Sequence, residues 1–594
     1  MMQDFKLFSK LLVVMALVIP HLLTAQNSYQ VGSAQNSLEP PSAIFSVSLA
    51  GYGAPRDGRF SLAWTEKDQP EAILALLNQK EKLYAKLFKN AKQTPGDKLP
   101  KNSNSFAMLK HDLIIIDQND VLWKARKGKK LSWQKIGLAP NIIDLVVHHD
   151  QLYGLTGDNE ILRYQPNADW LRIAIKNGLT YKQDIKRIAV FKEHLYGIDA
   201  TNTVFIAQHK TDNNLTAHAL AVKSGHEHVV LVSLDLCGFD DSFISEVKDV
   251  IEKKYHIPSS AILVNASHTH FAPVSQKWTT WGPHCQQPDS TYLYGTVKPA
   301  IIASIGAAIK SEKDANIYFG RGVTAIGANR SLKDGPIPYD KDVDVLKVVY
   351  KNEAASDVLF MHGCHPVFLN QNEQGITISA NYPAVTRDLL SKDPHIKNSM
   401  FIQGCAGDIN PVDADHHVTG SKLASAVQNV LADEMTAVTG GINHYLDTIN
   451  FAVTPWPKEK LEAFKQQNSG HDGDVGAEKN VRWADLMLHY EKTDATPKQM
   501  PVYVQTVNIG NWKLVGLSRE VVTEYSIGIK KLWPDQLVSV AGYTNDVSSY
   551  LPTRRHIQAG VYEGNDSFFW YGQPNIFPEH VYETIINSIK AKNR

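Results

Sequence analysis

His228-Val229-Val230-Leu231-Val232-Ser233-Leu234 is an apolar run of strand length. Downstream, Phe243, Ile244, Val247, Val250 and Ile251 recur at the spacing of one helix face. Ala261–Val264 is the next strand. Further apolar runs end near Met361, Gln403, Leu517 and Ala541, and Val521–Trp533 reads as a helix after its strand. Strands alternating with helices predict a large α/β domain from residue 216 onward. Residues 455–500 are polar and read as a helical excursion over its surface.

Upstream the texture differs. Between residues 105 and 212, short β-rich runs recur between turn signals. Gln151-Leu152-Tyr153-Gly154-Leu155 returns as His194-Leu195-Tyr196-Gly197-Ile198, with an earlier echo at Asp112-Leu113-Ile114-Ile115-Ile116. Each is followed by a polar turn and another apolar pair: Leu122-Trp123, Ile161-Leu162 and Val204-Phe205. A period of about 40 residues is that of propeller blades. Fewer than four repeats are visible, so a plain β-meander insertion fits equally. Residues 66–104 are Lys-rich and read as helix followed by loop. Residues 26–60 are a polar lead, followed by the apolar run Ile44–Leu49 and a turn-rich segment from Gly51 to Pro55.

The chain has 594 residues, 43% hydrophobic and 21% charged, a globular composition. Lys+Arg and Asp+Glu are both 61, so no overall charge attracts nucleic acid or an anionic membrane. Residues 1–25 read as a secretory signal. Lys6 and Lys10 precede the apolar run Leu11–Leu23, and Ala25 is a small residue for cleavage. The expectation is a secreted or periplasmic protein with no membrane span once the signal is removed. Cys237, Cys285, Cys364 and Cys405 are too few for a disulfide framework, although export would permit them to pair.

In open α/β sheets, sites lie beyond the carboxyl ends of strands. There the chain carries Asn265-Ala266-Ser267-His268-Thr269-His270, Cys364-His365-Pro366, Ser518-Arg519-Glu520, and Tyr550 beyond Gly542-Tyr543-Thr544-Asn545-Asp546. Imidazole and carboxylate together suit Zn²⁺, and an incomplete protein ligand set leaves room for water, whose pKa the ion can lower to about 7. Each residue alone has a plainer explanation. His-x-His is often structural, His365 can be a satisfied core histidine, Glu520 can cap a helix, and Tyr550 can be a loop aromatic. Their placement after strands of one sheet argues for a shared site. Cys364 is a poor nucleophile beside His365, because neighbours on extended chain face opposite sides. No phosphate-binding glycine loop, dinucleotide fingerprint or serine elbow is present.

His268-Thr269-His270-Phe271-Ala272-Pro273 resembles the His-Thr-His-Ser-Gly-Pro segment of neutral ceramidases, and Val230–Leu236 resembles the strand preceding it. Gly404-Cys405-Ala406-Gly407-Asp408-Ile409-Asn410-Pro411 is similar to the family's Gly-Asp-Val-Ser-Pro region. Tyr550 and Tyr562-Glu563-Gly564 resemble its Tyr-x-Thr-Thr and Tyr-Glu-Gly segments, including their twelve-residue separation. The match is weak over residues 43–60 and good over 216–575.

The resemblance implies a large mixed-sheet ceramidase-like domain with an inserted β-rich, propeller-blade-like unit. It implies Zn²⁺ held by His268, His365, Glu520 and Tyr550. His270, Arg330 (in Ala328-Asn329-Arg330-Ser331) and Tyr562 would surround the substrate, with Arg330 on its polar head. It implies an amide hydrolase acting on an N-acyl lipid such as ceramide. The chain departs from the family in an insertion of about 150 residues after Gly58-Arg59, and in ending at Arg594 without the family's immunoglobulin-like C-terminal domain. Residues 26–60 and 213–594 would form the hydrolase and residues 61–212 the insertion. Two competing readings remain: a zinc hydrolase of another amide or ester, sugar- or peptide-derived, and a non-catalytic module whose repeats bind a glycan or protein.

Overall fold

The computed structural model describes residues 29–45, 47–51, 61–67, 71–89, 99–126, 131–166, 170–174, 184–369 and 377–592. The signal reading and the junction at Gly58-Arg59 lie outside them.

A nine-stranded mixed sheet forms the centre. Glu227–Leu234 pairs parallel with Ile262–Ala266, and Ser356–His362 pairs parallel with Ile396–Gln403. The helix Asp241–Tyr255 buries Phe243, Ile244, Val247 and Ile251, the face marked by its apolar spacing. Ser290–Lys310 is long and apolar enough to cross a membrane by composition. Its Ile301, Ile305 and Ala308 are fully buried in the cluster that includes Tyr29, Val31 and Ala219.

The polar lead is not a lead. Tyr29–Ser37 is an interior strand, antiparallel to Thr216–Ser224 on one side and Lys313–Val323 on the other. Only Tyr29 and Val31 supply large apolar side chains. Ser33 and Asn36 instead hydrogen-bond within the fold, Asn36 Nδ2 to Ser304 Oγ at 3.0 Å.

A second sheet joins Ile442–Ala452, Gln499–Ile509, Trp512–Leu517 and Leu537–Ala541, the last two parallel. The strands that precede the candidate residues therefore belong to two sheets, which corrects the expectation of one. Sequence shows strands but not their pairing. The sheets are stitched together at Asn265. Its backbone bridges Thr544, its Oδ1 accepts from Gln403 N at 2.8 Å, and its Nδ2 donates to Gly542 O at 2.8 Å. This buried amide also joins Ile262–Ala266 to Ile396–Gln403, which stand at opposite ends of the strand order. Asn265→Ala would strand two buried backbone groups. A loss of about 2–4 kcal/mol of stability is expected, measurable by urea unfolding.

Three four-stranded antiparallel sheets occupy the region between the strands Tyr29–Ser37 and Thr216–Ser224. The echoed runs Asp112–Ile116, Gln151–Thr156 and His194–Asp199 are the second strand of each. The repeated glycine has a packing reason. A Cβ on Gly154 would lie 2.9 Å from Ile142 and 3.1 Å from Trp170; on Gly197, 3.0 Å from Ile185 and 3.1 Å from Trp64. The third sheet is completed by Leu62–Glu66, paired with Val204–His209. Among the described residues, none of these sheets closes on itself. Glu71–Phe88 is a helix, and Lys458–Asn468 and Val475–Lys492 form the helical excursion.

Candidate metal centre

His268 and His365 leave different strands and meet over one carboxylate. Each Nε2 lies 3.1 Å from Glu520 Oε2. The opposite ring nitrogens are fixed by backbone. Nδ1 of His268 donates to Cys237 O at 2.5 Å, and Nδ1 of His365 donates to Ala406 O at 2.6 Å. Anchoring Nδ1 on an acceptor is how proteins orient a metal-binding imidazole. The side-chain amide of Gln403 donates to the carbonyls of Ser267 and Cys364, at 3.0 and 2.8 Å. One side chain thus sets the two loops immediately before both histidines.

Glu520 opens the short strand Glu520–Val521, parallel to Tyr550–Leu551. Oε1 accepts from the Tyr571 hydroxyl, so Oε2 alone faces the imidazoles. Burial opposes ionisation of Glu520, but His268 and His365 hold its pKa well below the usual carboxylate range. Burial alone would depress His268, yet Glu520 and Cys237 outweigh it and raise the ring to about 10. Burial and the Arg330 guanidinium push His365 down to about 4. The carboxylate therefore demands a positive partner, which a proton on His268 supplies in the ion-free protein.

A cation fits the same demand. The donor atoms of His268, His365 and Glu520 all lie within 4.8 Å of one another. Ligands at about 2.0–2.2 Å from a tetrahedral ion stand about 3.3–3.6 Å apart, close to the 3.1 Å found here. His268, His365 and Glu520 form the convergent set.

Tyr550 lines the same cavity, and its hydroxyl accepts from Arg330 Nη2 at 2.9 Å. Arg330 also donates to Glu563 Oε1 at 2.9 Å, Asn410 Oδ1 at 3.1 Å and Gly407 O at 2.9 Å. Four of a guanidinium's five donors are thus committed within the protein. One donor is left for a substrate head, and the bond to Tyr550 makes Arg330 a clamp on that hydroxyl. Tyr562 stands at the mouth, 39% exposed, its ring edge-on to Tyr550 at 5.3 Å.

His270 Nε2 lies 3.2 Å from His268 Nε2. Residues two apart on an extended chain face the same side, but here the reason differs. His268 has φ +65°, a left-handed conformation costing of order 1–2 kcal/mol for a residue with Cβ. The turn, not strand alternation, brings the rings together. Gly51 leaves room for His270: at φ +84°, a Cβ there would sit 2.4 Å from the ring Nδ1. Gly51→Ala is expected to displace the ring and lower kcat by about 100-fold while metal content is retained. Parallel metal analysis and kinetics would check it.

The cavity has a volume of about 260 Å³, with Val367, Phe368, Trp281 and Trp570 supplying apolar wall. Cys237, Gln403, Glu563 and Tyr571 escaped the sequence reading as site residues. Tyr571, nine residues beyond Tyr562, sits in the aromatic run Phe568-Phe569-Trp570-Tyr571, which reads as core. The four cysteines are buried and form no disulfide with one another. Burial holds the Cys364 thiol well above its usual pKa, which agrees with the case against it as a nucleophile.

No protein-family model and no curated protein sequence matches the chain. Solved structures do. A ceramidase complexed with C2 is 17% identical, covering 64% of this chain and 69% of its own, with a TM-score of 0.51. The neutral ceramidase of Pseudomonas aeruginosa is 16% identical, covering 65% and 69%, also with a TM-score of 0.51. This chain has a neutral ceramidase-like fold. At such identity it is the ceramidase-like architecture that is shared. The chemistry rests on the side chains described above.

Proposed function

We propose that the protein is an exported zinc-dependent amidohydrolase that cleaves an N-acyl linkage in a lipid such as ceramide. The observation carrying this is the convergence of His268 and His365 on Glu520 Oε2, at 3.1 Å each, with His270 beside them. The ceramidase-like fold supports the substrate class. The apolar wall of Val367, Phe368, Trp281 and Trp570 suits an acyl chain.

His268, His365 and Glu520 would hold the ion, with Tyr550 as the fourth ligand. A bound zinc would polarise the scissile carbonyl and make water acidic enough to act near neutral pH. His270 stabilises the developing oxyanion or passes its proton to the leaving nitrogen. Tyr562 offers a hydroxyl from the mouth, and Arg330 keeps Tyr550 in position. Residues 26–60 and 213–594 form the hydrolase in this reading. Residues 61–212 are a propeller-blade-like insertion that shapes access to the cavity or binds a glycan or protein.

The test is a hydrolysis screen of zinc-loaded protein against N-acyl sphingoid bases, N-acyl amino acids and N-acetylated sugars. Turnover of the first, abolished by chelation and restored by zinc, is expected. Turnover confined to sugars or amino acids moves the substrate class. Stoichiometric zinc with no hydrolysis of any of them overturns the enzymatic reading.

A further inference from the structure

A second cluster of ligating side chains lies outside the cavity. Asp212 belongs to the short strand Thr211–Asn213, where the three-sheet region returns to the main fold. His416 and His417 open the helix His416–Ala432, whose N-cap Asp415 accepts from His417 N. Asp212 Oδ2 is 2.8 Å from His416 Nε2, and Oδ1 is 3.9 Å from His417 Nε2. The two rings stand 4.0 Å apart, and the three donor atoms lie within 4.8 Å of one another.

We propose that Asp212, His416 and His417 form a second site for a first-row divalent ion of the zinc type. Two imidazoles and one carboxylate are a borderline-soft donor set, suited to zinc, cobalt or nickel rather than calcium or magnesium. His417 is half-exposed and Asp212 borders a polar cleft of about 410 Å³, so an ion can enter and water can complete its coordination.

A second observation points the same way. His416 is 2% exposed, and its Nδ1 is buried without a hydrogen-bond partner. An ion on Nε2 leaves the ring proton on Nδ1, and Asp415 Oδ1 is 3.7 Å from it. No hydrogen bond spans that distance, but a small closing of the gap would give the ring the carboxylate support usual for a metal-binding histidine. The positive end of the helix disfavours a cation, and Asp415 and Asp212 offset that.

The site would brace the candidate active centre. Asp212 Oδ2 also accepts from Ser379 Oγ at 2.9 Å. Ser379 O in turn accepts from Thr269 Oγ1 at 2.6 Å, and Ser379 N donates to Phe271 O at 3.0 Å. Thr269 lies between His268 and His270. An ion on Asp212 would therefore tie the return strand and a helix to the His-Thr-His loop.

Zinc titration by calorimetry, and cobalt titration by visible absorption, test this in the full chain carrying His365→Ala, which removes a donor from the first centre. One ion per chain is expected to bind. Adding His416→Ala should weaken it at least tenfold, and adding His417→Gln should weaken it in the same direction. Circular dichroism of the ion-free variants checks folding; if His416→Ala unfolds the protein, the exposed His417→Gln carries the test. No ion in His365→Ala, or one retained at full affinity by the ring variants, overturns the second site. His416→Ala alone reports on the first centre, so failure of one site is distinguishable from failure of the other.

Discussion

Glu520→Gln is expected to cost the protein its ion and its activity together. Glu520 is 1% exposed, and its Oε2 is the point on which both imidazoles converge. The amide has nearly the same shape but no charge. It also presents an NH₂ to one group that now donates to the carboxylate: His268 Nε2 on one side or the Tyr571 hydroxyl on the other. Substitutions around a metal's ligands typically cost about 10–100-fold in affinity, so losing the charged ligand should exceed about 100-fold. Competition with a chromogenic chelator measures this directly. Tyr571→Phe separates the ligand from its support. It leaves the carboxylate in place, frees Oε1, and should weaken binding only within that 10–100-fold range. Wild-type zinc affinity in Glu520→Gln would remove the carboxylate from the ligand set.

Much of this centre was readable from sequence because its parts are local. His268, His365 and Glu520, which the fold brings together, each follow an apolar run, and such runs are the strongest short-range signal a chain carries. The helix at Asp241–Tyr255 and the second strands of the three sheets were legible for the same reason. What escaped is non-local or polar. Tyr29–Ser37 alternates into Ser, Gln and Asn because its late positions face hydrogen-bond partners rather than hydrocarbon. The division into two sheets depends on pairings between distant segments, and buried polar groups such as Asn265 and Asn545 join them. Gln403, Cys237, Glu563 and Tyr571 act on the site through one hydrogen bond or a few, with no spacing to announce them. The left-handed turn at His268 is the sharpest case: the rings converge as alternation predicts, but the backbone that aims them is not extended.

His270→Ala should spare the metal and lose the reaction. In the cavity His270 stands against His268, Nε2 to Nε2 at 3.2 Å, on the side away from the backbone anchor at Cys237. His268 has its Nδ1 committed to that carbonyl and its Nε2 to Glu520. His270 lines the cavity, where a substrate carbonyl would lie. A general acid–base group contributes about 10²–10⁴-fold in rate. His270→Ala is therefore expected to keep near-stoichiometric zinc while kcat falls by about 10²–10⁴. His268→Ala removes a donor from the convergent set and should lose ion and activity together. Metal content and single-turnover rates, taken on the same preparations with whichever amide the screen identifies, decide between the roles. Zinc loss in His270→Ala as complete as in His268→Ala would make both residues ligands, and the pair Cys237 and His270 would then have to be counted with His268 as a donor set of its own.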